Sequence, residues 1–467
     1  MLKKQLKKGS MTDYTLCTAI ELADLYRAGS ASPVAVAEQI LAKIERVNPV
    51  LNAFCFTDPE TTLAQARASA QRWRQGQPWS RLDGVPVAVK DSILTQGWPT
   101  LHASLTVDAD QPWTEDAPSV ARLREAGAVF VGKTTMSEFS STEHDSNSLR
   151  YGNVHNPWNL SHTPGGSSGG SAVAVAAGMV PVALGTDLTG SIAVPSAFCG
   201  IFGMKPSAGR VPQWPIDVLE LSTVGPLARS IADIALVMNI IVKPDVRDST
   251  SLPYDHNWYN ADTNYSLHGK KIACVDLMKD AKILDYLTSQ GAQVDFISLD
   301  IESAIKLFGQ LIEPKMWQQW TDIPKEKHHL AGRGIQRRAI FSHCQEETYS
   351  RLHKRHLAMT HMRKFMQSYD FILGPATVME LDQQSELSEH VSPLSIFFCL
   401  TKQPTVTVPI GIDYNGIPQS VMVAGAMHDD LGVLELAHAI GKQFPMPHPP
   451  LFYSKGPLCK NEILKNA

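Results

Sequence analysis

Two glycine- and serine-rich stretches carry most of the chemistry this sequence could perform. One reads Pro164-Gly-Gly-Ser-Ser-Gly-Gly-Ser171 and the other Gly185-Thr-Asp-Leu-Thr-Gly-Ser191. Glycine is costly to order, so such density needs a backbone reason. Two reasons fit: main-chain N–H groups that cradle a phosphate, or N–H groups that converge on an oxyanion. No Gly-Lys-Ser/Thr ending follows, which makes nucleotide binding the weaker of the two. The plainer alternative is a helix seam of small residues, which suits the run 172–177. A third feature is Gly84-Val-Pro-Val-Ala-Val-Lys90, an apolar run that ends in a lysine. A lysine buried away from water loses the solvation of its charged form, and its pKa falls. Taken alone, Lys90 also reads as a strand-end lysine reaching solvent, and Ser167 as a turn residue.

The remaining reactive side chains form weaker patterns. Sixteen histidines invite a metal, but no HExxH occurs. His353 and His356 lie among Arg351, Lys354, Arg355, Arg363 and Lys364, a pattern that suits a solvated basic helix face. Arg355 is the candidate there for attracting a substrate carboxylate. Seven cysteines are scattered without a CxxC, which argues for a reducing compartment, hence the cytoplasm, and against a disulfide framework. Cys199 follows Phe198 in an apolar setting and reads as a core residue. Asp429 and Asp430 precede the last helical run and suit a cap.

These residues need a sizeable scaffold. The chain has 467 residues, 43% hydrophobic and 19% charged, enough apolar material for a large core. A net charge of −4 gives no general pull toward nucleic acid or anionic membrane, and no run of about 18 apolar residues occurs. Residues 1–10 are basic without an apolar stretch behind them and read as a leader or tag; 11–467 reads as one domain with a catalytic core at about 84–230. Ser32-Pro33 opens a helix that Asn48-Pro49 stops, and Asp58-Pro59 opens another. Strands are expected at 51–56, 84–90, 128–131, 371–375 and 405–410, with strand, helix, strand over 270–299. A pairing strand is expected at 419–423. Helices are expected at 117–125, 227–242 and 434–444, and over most of 333–368. Alternating strands and helices predict an α/β fold: a large mixed, mostly parallel sheet covered by helices on both faces.

The run His155-Asn-Pro-Trp-Asn-Leu-Ser-His-Thr-Pro-Gly-Gly-Ser-Ser-Gly-Gly-Ser171 resembles the signature of the amidase signature family. So do Gly185-Thr-Asp-Leu-Thr-Gly-Ser-Ile-Ala-Val-Pro-Ser-Ala-Phe-Cys-Gly200 and Gly203-Met-Lys-Pro-Ser-Ala-Gly-Arg210. Gly84-Val-Pro-Val-Ala-Val-Lys-Asp91 is similar to the family's lysine strand, and Gly132-Lys-Thr-Thr-Met-Ser-Glu-Phe139 to its next loop. Gly225-Pro-Leu-Ala-Arg229, Val408-Pro-Ile-Gly and Gly416-Ile-Pro also fit, so the likeness covers most of 11–445. By motif position the resemblance implies Ser191 as nucleophile, Ser167 as bridging serine on a cis peptide, and Lys90 as base. It implies an oxyanion hole from the N–H groups of Leu188, Thr189, Gly190 and Ser191. Asp187 would order that loop, with Ser168 and Gly166 in support.

Two positions depart from the family's Gly-Gly-Ser-Ile-Arg pattern: Thr189 stands for a glycine and Ala193 for the arginine. A β-branched residue would strain any positive φ at 189, and the missing arginine would remove a brace. The implied activity is hydrolysis of a carboxamide C–N bond through an acyl-enzyme on Ser191, with no metal or organic cofactor. The expected partner is a small amide, with no nucleic acid or membrane, and a homodimer is left open. The glutaminase component (the A subunit) of a glutamyl-tRNA(Gln)/aspartyl-tRNA(Asn) amidotransferase is the second reading, with partner subunits. Residues 341–350 read FSHCQEETYS and lack the Tyr-Asp-Ala-Tyr-Tyr type of stretch associated with that component. A catalytically impaired binding protein on the same scaffold, motivated by Thr189 and Ala193, is the third. The segments 211–222 and 300–345 are the expected walls of the substrate pocket.

Overall fold

The computed structural model describes residues 12–141, 146–254, 265–276, 278, 280–339, 348–377 and 392–450. Strands are β1 (Phe54–Thr57), β2 (Pro86–Lys90), β3 (Val129–Thr134), β4 (Asn147–Ser148), β5 (Gly152–Asn153), β6 (Val182–Asp187) and β7 (Phe202–Lys205). They continue as β8 (Thr223–Ala228), β9 (Lys271–Val275), β10 (Gln293–Ile297), β11 (Phe371–Pro375), β12 (Thr405–Ile412) and β13 (Pro418–Gly425). Helices are α1 (Ala19–Arg27), α2 (Pro33–Leu51), α3 (Pro59–Arg74), α4 (Pro118–Glu125), α5 (Gly169–Ala176), α6 (Ala193–Cys199) and α7 (Ile231–Ile241). After them come α8 (Ala281–Ser289), α9 (Ile301–Thr321), α10 (Arg333–Gln336), α11 (Thr348–Phe365), α12 (Pro393–Leu400) and α13 (Asp430–Gln443).

Eleven strands form one sheet in the order β1-β3-β2-β6-β8-β7-β12-β13-β11-β9-β10. The α/β expectation of a large mixed sheet holds, but its parallel majority does not. Parallel pairing is confined to the flanks, β3-β2-β6 and β11-β9-β10. Everything between β6 and β11 runs antiparallel, as does the edge pair β1-β3. The flanks have helical crossovers, which parallel neighbours require, while β12 and β13 join through a short turn that permits only a hairpin. Pro86 to Lys90 and Val129 to Thr134 are buried throughout, as strands covered on both faces must be.

Local signals were modified by packing in two places. Pro49 does not stop α2: it sits in the last turn, where one lost N–H bond is tolerated, and left-handed Asn52 ends the helix. Leu227 and Ala228 are not helical: they close β8, and Ser230 caps α7 by accepting from the Asp233 N–H. One large apolar core joins β2, β3, β6 and β8 to α2, α5 and α7. Among the described residues no helix is long and apolar enough to cross a membrane.

Candidate active site

The site grows from the end of β2. The apolar run through Val89 buries the strand, so Lys90 reaches the edge of the sheet still fully enclosed. Its Nζ donates to Ser167 Oγ at 2.7 Å and to Thr186 Oγ1 at 2.8 Å. Burial pulls the Lys90 pKa down to about 7, against the opposing attraction of the Asp187 carboxylate. Near pH 7 this amine is therefore neutral for a large part of the time. Thr186 was missed in the sequence; its signal was that it is the first hydroxyl after the apolar run that opens β6.

Ser167 follows a cis Gly166–Ser167 peptide, as the resemblance implied, and is fully buried. The next serine ties the segment down. Ser168 Oγ donates to the Thr186 carbonyl at 3.2 Å, and its N–H donates to the Ser191 carbonyl at 3.2 Å. Ser146, also missed, donates to the Gly165 carbonyl and accepts from the Gly169 N–H, both at 2.9 Å. Gly170 is required by close approach: a Cβ there would lie 2.5 Å from the Ala53 carbonyl oxygen and 2.6 Å from the Thr135 nitrogen. The small-residue seam is also present, since 169–176 are all buried in α5. The helix-seam reading of the second half of the stretch therefore holds, while the first half is tied into the loop by Ser146 and Ser168.

The second loop is organised by Asp187, 1% exposed. Its Oδ1 accepts the Gly190 N–H at 2.8 Å, and its Oδ2 accepts those of Ile192 at 2.7 Å and Ala193 at 3.2 Å. The Cys399 thiol lies 3.6 Å from Oδ1. Three amides on one carboxylate supply the brace that Ala193 had been expected to forfeit. They also correct the oxyanion assignment, because the Gly190 N–H is already engaged with Asp187. The Thr189 concern is corrected as well: the positive φ of 105° falls on Gly190, and Thr189 is not among the left-handed residues. Ser191 is 3% exposed, and its hydroxyl has no hydrogen-bond partner among the described residues.

Thr186, Leu188, Thr189 and Ser191 open on a cavity of about 680 Å³. Its walls include 212–217 and Ser222 on one side and α9 with Ile323 and Arg338 on the other. Those walls lie within the two segments named from the sequence. His102 also lines the cavity and stacks on Phe139 with ring centres 5.5 Å apart. Burial, then Lys133 and Lys90, push the His102 pKa down to about 4, so its imidazole is neutral at pH 7. Asp217 is paired with Lys315 at 2.8 Å on the wall.

Arg355 is not in this cavity. It is buried in α11 and donates to the carbonyls of Leu400 at 3.1 Å, Glu220 at 3.2 Å and Leu219. It clamps the 219–220 turn to α12, so the substrate role read for it is corrected to an internal brace. His353, Lys354 and His356 do form an exposed face, whereas Arg351 and Arg355 turn inward. Cys199 is a core residue, fully buried. Asp429 caps α13 by accepting the Gly432 N–H at 3.0 Å; Asp430 instead accepts from the Ser207 N–H at 2.7 Å and pairs with Arg210 at 3.2 Å. Among the described residues no three His, Cys, Asp or Glu side chains are grouped to hold a metal ion. The 341–347 part of the FSHCQEETYS stretch and residues 1–10 lie outside the described residues.

Comparison with known proteins agrees with this architecture. A family model described as Amidase matches residues 35–290. The chain is 32% identical over 481 residues to the A-type subunit of the glutamyl-tRNA(Gln) amidotransferase of Myxococcus xanthus, covering 93% of this chain and 98% of that protein. The protein of the same name from Chloroflexus aggregans is 42% identical over 264 residues, 56% of this chain; the match spans only 54% of that relative's length. The solved peptide amidase from Stenotrophomonas maltophilia aligns with a TM-score of 0.80 at 25% identity, over 94% of this chain and 99% of that one. With the family model covering more than half of the chain and a relative aligned over nearly its whole length, this protein belongs to the amidase signature family.

Proposed function

We propose that the protein hydrolyses the C–N bond of a carboxamide through an acyl-enzyme on Ser191. The observation that carries this reading is the enclosed Lys90–Ser167 contact of 2.7 Å, with a lysine whose pKa falls to about 7. A serine hydroxyl is a poor nucleophile until a neighbour takes its proton. In this reading the Ser191 hydroxyl, unpartnered at rest among the described residues, turns to Ser167 and gives it a proton as Ser167 gives its own to neutral Lys90. Ser191 Oγ then bonds to the amide carbon. The C–N bond breaks when the leaving nitrogen receives the proton back along the same path, releasing ammonia or an amine. Water, activated by the same relay, cleaves the ester and frees the acid. Main-chain N–H groups of Leu188, Thr189 and Ser191 are the donors proposed for the oxyanion, since that of Gly190 serves Asp187. One such donor is worth about 3 kcal/mol of barrier.

A fluorophosphonate probe followed by peptide mass spectrometry tests the reading. We expect labelling at Ser191 that is lost in Lys90→Ala; absence of labelling in the wild-type protein would support the impaired scaffold instead. The second reading, a glutaminase that passes ammonia to partner chains, is favoured by the 32% identity to the Myxococcus xanthus relative over nearly its full length. Co-purification with partner chains, and ammonia release from glutamine that depends on them, would separate it from a stand-alone amidase.

A further inference from the structure

Of the charged groups that line the cavity beside Ser191, one is both buried and without an ion pair among the described residues. Arg338 lines this cavity and is only 3% exposed. Its one described hydrogen bond runs from Nη1 to Gln319 Oε1 at 2.5 Å, and its Nε has no partner among the described residues. No ion pair joins it to a carboxylate among the described residues. Glu138, whose charge acts on it through space, has both oxygens engaged with other groups: Oε1 accepts from Ser104 Oγ at 2.5 Å and Oε2 from the Gly332 N–H at 2.8 Å.

A buried guanidinium with a donor left unfilled is costly. Native proteins rarely leave such a group without a partner, and because the residue lines the cavity a ligand there can supply one. The other cavity charges do not share its position. Asp217 is neutralised by Lys315 at 2.8 Å, and Asp322 is exposed and accepts from Gln318 Nε2 at 2.7 Å. The planar fork of an arginine matches a carboxylate, which can accept two parallel N–H bonds. Leu188 of the serine loop packs against Phe308 and Ile312 of α9 with Met316 beside them, and these apolar side chains, with Ile323, line the cavity that Arg338 shares.

We propose that Arg338 is a specificity residue that binds a carboxylate of the substrate, so that the substrate is an amide carrying an acid group separated from the scissile carbonyl by an apolar spacer. This rests on the amidase reading above. It adds the class of amide: monoamides of dicarboxylic acids and their amino-substituted relatives, in preference to neutral alkyl or aryl amides.

The test uses the full-length protein and ammonia release from succinamate, glutaramate and adipamate. Each is compared with a methyl ketone that replaces its carboxylate. We expect at least one acid to exceed its ketone about tenfold or more in kcat/KM, mainly through KM. Arg338→Gln should reduce that acid-to-ketone ratio about tenfold, and Arg338→Lys, which keeps charge but not the fork, should give an intermediate ratio. Rising salt should weaken the wild-type preference only modestly, because the site is buried. Equal rates for every acid and its ketone, or an unchanged ratio in Arg338→Gln, would overturn the proposal. Should Arg338→Gln fail to fold, judged by its melting transition, the wild-type ratio and Arg338→Lys decide. Ser191 labelling with ketones hydrolysed as well as acids sinks this inference alone. Labelling without turnover of any acid also overturns it. No labelling and no ammonia from any probe sinks the amidase reading with it.

Discussion

Lys90 and Lys133 stand at the ends of neighbouring strands, β2 and β3, both wholly buried, yet they are built for different work. Lys133 donates to the Ile93 carbonyl at 2.6 Å and to Thr100 Oγ1 at 2.8 Å, with Thr95 Oγ1 at 3.4 Å. Burial lowers its pKa to about 8, and the Asp91 carboxylate opposes that fall. A carbonyl can only accept, so it rewards a lysine that keeps its protons. Lys90 faces two hydroxyls, each able to donate as well as accept, and it sits nearer neutrality. The lesson is that burial alone does not make a base. The partner must be able to give a proton back.

Lys133 does serve the site, from behind. It holds the 93–100 turn, and Asp91 accepts the Leu101 N–H at 3.1 Å and the Ala103 N–H at 2.8 Å. That pair of anchors fixes the segment bearing His102, which forms part of the cavity wall.

The largest expected effect is a split between the two lysines. Lys90→Ala should lower kcat by about 10²–10⁴-fold, the range for loss of a general base, with the protein still folded. Lys133→Ala should instead destabilise the protein by about 3–5 kcal/mol, because it strips a buried network of its cation, as read by denaturant unfolding. Equal activity losses with equal stability in both variants would erase the distinction between them.

A smaller effect lies in pH. The rising limb of kcat/KM should fall near pH 7, where Lys90 loses its proton, and should vanish in Lys90→Ala. Stability carries a matching sign. Both lysines have folded pKa values below the usual 10.5, so between about 7 or 8 and 10.5 the unfolded chain holds more protons. Their contribution therefore makes stability rise with pH over that window. Lys133→Met should make the slope of unfolding free energy between about pH 8.5 and 10 less positive than in the wild type; an unchanged slope would contradict the assigned shift.

The smallest effect concerns Thr186. Its Oγ1 accepts from the Lys90 ammonium and so favours the charged form. Thr186→Val removes that acceptor and should move the rising limb of the pH profile to lower pH by up to about one unit, with kcat changed less than about tenfold. A limb that moves to higher pH would show that Thr186 acts mainly as a donor to the neutral amine.

Much of the site was legible because its parts lie in unbroken stretches of sequence. An apolar run ending in Lys90 suits a buried lysine, though only the family resemblance set that reading above a lysine reaching solvent, and the glycine density around Ser167 and Ser191 asks for close backbone approach. Strands with plain apolar runs, such as β9, β11 and β12, were equally open to reading. The strands β7 and β8 were not, since glycine and Pro226 interrupt their pattern and only their neighbours in the sheet reveal them. Arg355 shows a different failure. A basic residue on a helix looks solvated until the fold sets three carbonyls around it.

The residue types and their order, with the family resemblance they carry, pointed without any coordinates to a lysine strand and two serine loops as the candidate site and to an α/β scaffold that would hold them. Only the tertiary structure decided that Thr186 shares the lysine, that Gly190 spends its amide on Asp187, and that Arg338 lines the cavity with its Nε unpartnered among the described residues. The physical reason is range. Hydrophobic periodicity and glycine content act over a few neighbouring residues, whereas desolvation and hydrogen-bond partnership depend on groups brought together from distant parts of the chain, as Lys90 and Thr186 are across 96 positions.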